Sequence, residues 1–171
     1  ASARMTSLVG IISRTTQASL ASISNTNERK RTMKRSKKYP NTETFIFDNQ
    51  NPKGLVQAGD CVYRAISLAT KKDWKQVVME LAELSCETGY APNMTENFNI
   101  YLERNGWKKM PMPKHDNGTK FTTKEFCQAH KTGTFVVNIA GHTFCVKNGR
   151  VHDTWDVSKY SKRIGNYWKE A

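Results

Sequence analysis

Between residues 61 and 106 the apolar side chains recur at helical spacing. Val62, Ala65, Ile66 and Ala69 fall at i, i+3, i+4 and i+7, which predicts a helix opening close to Asp60 and Cys61. A second helix starts at Asp73, carries Trp74, Val77, Val78, Leu81 and Leu84 on one face and stops at Gly89. A third runs from about Thr95 to Arg104 and ends at Gly106. A short fourth opens at Thr122, whose spacing to Glu125 makes a capping box. From Thr134 the period shortens to that of strands, in TFVVNIA, HTFCVK and RVHDTWD. Upstream, Phe45, Ile46 and Phe47 make a short apolar strand, and a turn-rich stretch from Asp48 to Gly54 leads to the first helix. The expected class is α+β, with helices filling the first half and an antiparallel sheet the second.

Asn148-Gly149 between two alternating runs is a strong hairpin signal, because a type I′ turn needs positive φ at both central residues. A two-residue loop there sets Lys147 opposite Arg150, Phe144 opposite Asp153 and His142 opposite Trp155. Side chains alternate faces, so His142, Phe144, Asp153 and Trp155 share one face, and His142 and Asp153 are diagonal neighbours within reach of a hydrogen bond. Asp156 has the other parity and points away with Thr143.

A carboxylate that fixes the tautomer of a histidine and stabilises its imidazolium is half of a nucleophilic site. Of Cys61, Cys86, Cys127 and Cys145, only Cys61 stands at a glycine-preceded helix start, where free backbone amides and the helix dipole favour a thiolate. The same amides can receive an oxyanion, and Gln57 in the preceding loop is placed to add a side-chain donor. Asp60, directly before the cysteine, reads as the N-cap of its helix. Cys86 and Cys127 fall within helices and Cys145 on the face opposite His142, so these three read as core or surface thiols.

Charge adds a second theme. The net charge is +12, and residues 1–40 hold nine Lys or Arg against Glu28 alone, so most of the basicity belongs to the tail. Residues 1–27 have no acidic side chain and ten Ser or Thr around Leu8, Val9, Ile11 and Ile12. This composition suits a transit peptide, a cleavable pro-segment, a polyprotein remnant or an arm that orders within an assembly. The run Arg29, Lys30, Arg31, Lys34, Arg35, Lys37 and Lys38 is the candidate contact for nucleic acid or an acidic protein surface. The expected organisation is a basic arm over residues 1–38 and a catalytic domain over 39–171. No apolar run approaches the ~20 residues of a bilayer crossing, so no membrane span is expected. The cysteines form no CxxC pair and His115, His130, His142 and His152 show no zinc-type spacing with them, so no metal and no cofactor is expected. Free thiols fit a reducing, intracellular compartment, with organelle targeting or virion association also open.

A cysteine on an early helix, a histidine opening a strand and an aspartate on the next strand resemble the papain-like cysteine peptidase superfamily, and GDCVYRAIS is similar to the nucleophile motif of ovarian-tumour-type deubiquitinases. Small bacteriophage and bacterial thiol hydrolases are a looser resemblance. The resemblance covers about nine residues around Cys61 and fifteen around His142 and Asp153. It departs from the ovarian-tumour pattern at Ala58, where an Asp is usual, and from papain in the spacing of Gln57. The resemblance implies a papain-like fold, with helices carrying Cys61 packed on a sheet carrying His142 and Asp153. It also implies a cysteine peptidase cleaving amide or isopeptide bonds in a peptide or protein through an acyl-enzyme. An acyltransferase with the same triad, or a non-enzymatic nucleic-acid or assembly protein using the basic arm, is the alternative.

Overall fold

The computed structural model describes residues 39–171, so the arm over 1–38 and its basic run lie outside the described residues. The α+β class holds, with four α-helices and a mixed six-stranded sheet among the described residues. The described part opens with strand β1 (Phe45–Phe47) and continues into helices α1 (Cys61–Thr70), α2 (Trp74–Thr88) and α3 (Thr95–Arg104). Strand β2 (Trp107–Met110) and helix α4 (Thr123–Ala129) precede the run β3 (Thr134–Ile139), β4 (His142–Lys147) and β5 (Arg150–Asp153). A 3-10 turn (Val157–Lys159) leads to β6 (Ile164–Glu170).

The helix boundaries follow local chemistry. Asp73 caps α2 by accepting hydrogen bonds from the amides of Lys75 and Gln76, and Gly89, at φ +75, closes it by donating to Ser85 O. Thr122 and Glu125 form the reciprocal capping box of α4. Buried Asn97 then locks α3 to α2: its amide donates to Leu81 O (3.1 Å) and Ser85 Oγ (3.2 Å), and its carbonyl accepts from Thr88 Oγ1 (2.8 Å).

Strand order in the sheet is β1-β5-β4-β3-β6-β2. The β4–β5 hairpin has the expected register, with Lys147 opposite Arg150, Val146 opposite Val151 and Cys145 opposite His152. Asn148 and Gly149 both take positive φ, +48° and +74°. The sheet is not purely antiparallel as expected, because β1 pairs parallel with β5 (Phe47 beside Asp153). A three-residue strand carries too little periodicity to declare its partner. The pairing of β2 with β6, and of β6 with β3, was likewise not foreseen.

Apolar side chains cover both faces of the sheet. On one, α1–α3 contribute Ile66, Leu81, Phe98 and Leu102 to a cluster that takes in Val136, Cys145 and Trp168 from the strands. On the other, Phe126 of α4 and Val157 join Phe45, Phe135, Val137, Phe144 and Val151. Helix α1 is buried along most of its length and packs against β4, which fixes the helix start beside the strand start. Among the described residues no helix is long and apolar enough to cross a membrane.

Candidate active site

Gly59, at φ +67, turns the chain into α1, and a Cβ added there would meet nothing within 4 Å. Backbone conformation rather than space therefore selects glycine at this turn. Cys61 follows as the first residue of the helix and is partly exposed. His142 opens β4, and Asp153 closes β5, where only 2% of its surface is accessible.

The three side chains meet. His142 Nε2 lies 2.5 Å from Asp153 Oδ2, the diagonal contact that the hairpin parity predicts. With Nε2 engaged, Nδ1 is left for Cys61, whose thiol is hydrogen-bonded to the ring. Burial pushes the Cys61 pKa up, but the bond to His142, the Thr143 backbone amide and attraction to the imidazolium outweigh it, and the net shift is downward. Burial alone would lower the His142 pKa, yet hydrogen bonds to Asp153 and Cys61 raise it to about 9. Both shifts move the pair toward a thiolate beside an imidazolium. Trp155 flanks the imidazole edge-on at 5.1 Å between centroids.

Asp153 is itself held. Its Oδ1 accepts from the Thr154 amide at 2.6 Å and faces Arg64 Nη2 at 3.6 Å. Asp156 is fully buried away from this site and accepts from Ser158 N–H and Oγ–H. Gln57 is exposed and lines the cleft of about 430 Å³ that reaches Cys61, together with Gly59, His142 and Trp155. A second cleft of about 390 Å³, bordered by Asn93, Thr95, Asn138 and Gly141, meets the same Cys61–His142 pair. A roomier cleft of about 680 Å³ beside His115, Glu125 and Arg163 contains no cysteine.

The other thiols have different surroundings. Cys127 and Cys145 are fully buried and pushed up to about 12 by that burial, while Cys86 is exposed on α2. Among the described residues no group of His, Cys, Asp and Glu is arranged to hold a metal ion.

One expectation is corrected. Asp60 stands at the N-cap position but makes no capping hydrogen bond. Its carboxylate instead accepts from Arg64, from Asn51 Nδ2 at 2.8 Å and from Trp74 Nε1 at 3.2 Å. Arg64 and its partners were missed in the sequence, although an Asp and an Arg four residues apart on one helix are a readable pair. No family model matches the chain, and no curated protein or solved structure matches it either.

Proposed function

We propose that this chain is a papain-like cysteine peptidase or related thiol hydrolase acting on an amide or isopeptide bond within a peptide or protein. The observation that carries this reading is the ordered contact of three side chains: Asp153 on Nε2 of His142, and the other ring nitrogen toward a Cys61 thiol of lowered pKa. A half-buried imidazole raised to about 9 is protonated when a leaving amine needs a proton, and the lowered Cys61 pKa favours the thiolate that attacks.

In the proposed reaction the Cys61 thiolate attacks the carbonyl carbon, a C–S bond forms and the carbonyl oxygen takes the negative charge. The amide N–H groups at the start of α1 and the Gln57 side chain are the donors that face this oxygen. The C–N bond breaks as His142 Nδ1 passes its proton to the amine. Water then adds to the thioester, His142 accepting a proton, and the C–S bond breaks to release the acid and regenerate the ion pair. Two clefts that each reach the Cys61–His142 pair suit a substrate that continues past the scissile bond.

The test is labelling with an electrophilic peptide probe followed by peptide mapping. Modification is expected on Cys61 and to vanish in Cys61→Ala and fall strongly in His142→Ala. Equal labelling of Cys86 and Cys61 in the native protein would reject the reading.

A further inference from the structure

Behind the triad runs a buried polar chain that the proposed reaction leaves unused. Arg64 and Asp60 sit one helical turn apart and are 5% and 3% exposed. Arg64 Nη1 donates to Asp60 Oδ1, and Nη2 lies 3.6 Å from Asp153 Oδ1. Asp60 Oδ2 is fastened in turn by Asn51 in the loop before α1 and by Trp74 at the start of α2.

We propose that Asp60 and Arg64 are positioning residues for the site: Asp60 anchors Arg64, and Arg64 steers Asp153 so that its Oδ2 stays turned to His142. This rests on the thiol chemistry proposed for Cys61.

Three observations support it. The first is the division of labour on Asp153. Oδ1 is taken by the Thr154 amide and faces Arg64, which leaves Oδ2 for the imidazole. The second is what Asp60 forgoes. An aspartate at a helix start ordinarily caps the first-turn amides, worth about 1 kcal/mol, and this one turns inward instead. The amides beside Cys61 are thereby left without a side-chain cap. The third is the cost borne by Arg64, whose Nε is buried without a partner. A guanidinium placed for its own satisfaction would not strand a donor. Buried ion pairs add little stability over apolar packing, so a network fixed from three elements fits orientation better than mere cohesion.

The role makes a prediction of sign. The charged or titratable groups around Cys61 are His142 from β4, Asp153 from β5, Tyr63 from α1, and Asp60 and Arg64, which line the same cleft. Asp60→Asn deletes a negative charge near the thiol, and by Coulomb's law alone that favours the thiolate and moves its titration down. If Asp60 acts through position, Arg64 is freed to pair fully with Asp153, the imidazolium loses its counter-ion, and the thiolate titrates later.

The experiment is the pH profile of Cys61 alkylation by iodoacetamide, read by mass spectrometry, in the wild type, Asp60→Asn, Arg64→Lys and Trp74→Phe. The expected result is an acid-side midpoint raised by about 1 pH unit in Asp60→Asn and Arg64→Lys. A smaller rise is expected in Trp74→Phe, which keeps every charge and removes one donor to Asp60. If Asp60→Asn fails to give the native near-ultraviolet spectrum, Arg64→Lys and Trp74→Phe decide. A midpoint that falls or stays put in the folded variants overturns the positioning role and leaves Cys61 chemistry intact. A wild-type Cys61 no more reactive than Cys86 rejects the underlying reading instead.

Discussion

Replacing Asp153 with Asn alters one atom and, on this geometry, silences the site. The Asp153 Oδ1 position is lined by two donors, the Thr154 amide at 2.6 Å and the Arg64 guanidinium at 3.6 Å. An asparagine will therefore keep its carbonyl oxygen there and turn its NH₂ toward His142. Nε2 must then accept, the ring proton moves to Nδ1, and the ring can no longer take a proton from Cys61. The raised His142 pKa, to which Asp153 and Cys61 both contribute, sets the scale of the loss. Its rise from 6.5 to about 9 is worth roughly 3 kcal/mol at about 1.36 kcal/mol per unit. If the variant returns only to 6.5, the imidazolium fraction at pH 8 falls about 30-fold. Hydrolysis should fall by at least one order of magnitude, and the His142 ring resonances in NMR should titrate at or below 6.5. A histidine whose folded pKa is raised stabilises the fold fully below its unfolded value of 6.5, and that contribution disappears as pH rises through about 9. The melting temperature of the wild type should thus exceed that of the variant most below pH 6.5, with the gap narrowing toward pH 9.5. Asp156→Asn is the control and should retain near-normal hydrolysis. A His142 titration that stays near 9 in Asp153→Asn, or equal losses in the two variants, would refute the reasoning.

Three further outcomes are expected. In native protein Cys61 should alkylate fastest at neutral pH and Cys86 at the rate of an exposed thiol. Cys127 and Cys145 should react only after denaturation, as peptide mapping will show. Gly149→Ala should be severe, since the residue holds φ +74 and a Cβ would lie 2.9 Å from the Cys127 carbonyl oxygen. A loss of several kcal/mol in urea unfolding is expected there, and a loss under about 1 kcal/mol would contradict the turn geometry. Deleting residues 1–38 should leave the melting temperature within a few degrees, and should weaken heparin binding and flatten its salt dependence. Unfolding on deletion would show that the arm belongs to the domain.

The helices and the hairpin were legible because their signals are local. Apolar spacing, Asp73, Gly89, the Thr122–Glu125 pair and Asn148-Gly149 each act within a few residues. From that hairpin alone came the face shared by His142 and Asp153, and the preference for Asp153 over Asp156. What escaped is what depends on distant pairing. The parallel contact of β1 with β5, and the placing of β6 between β3 and β2, leave no mark in the local pattern. Asp60 was misread for a different reason. A cap and a buried ion pair begin from the same residue at the same position, and only the approach of Asn51 and Trp74 decides between them.

The parallel pairing of Phe47 with Asp153 joins the first strand to a segment made after all four helices. On a ribosome, Cys61 emerges well before its partners on β4 and β5, by roughly 5–20 s at about 5–20 residues per second. Until the hairpin docks against β1, the nascent thiol lacks the imidazolium that depresses its pKa. A growing chain thus carries only an ordinary cysteine past its neighbours, and the order of synthesis itself acts as a safety catch on the proposed nucleophile.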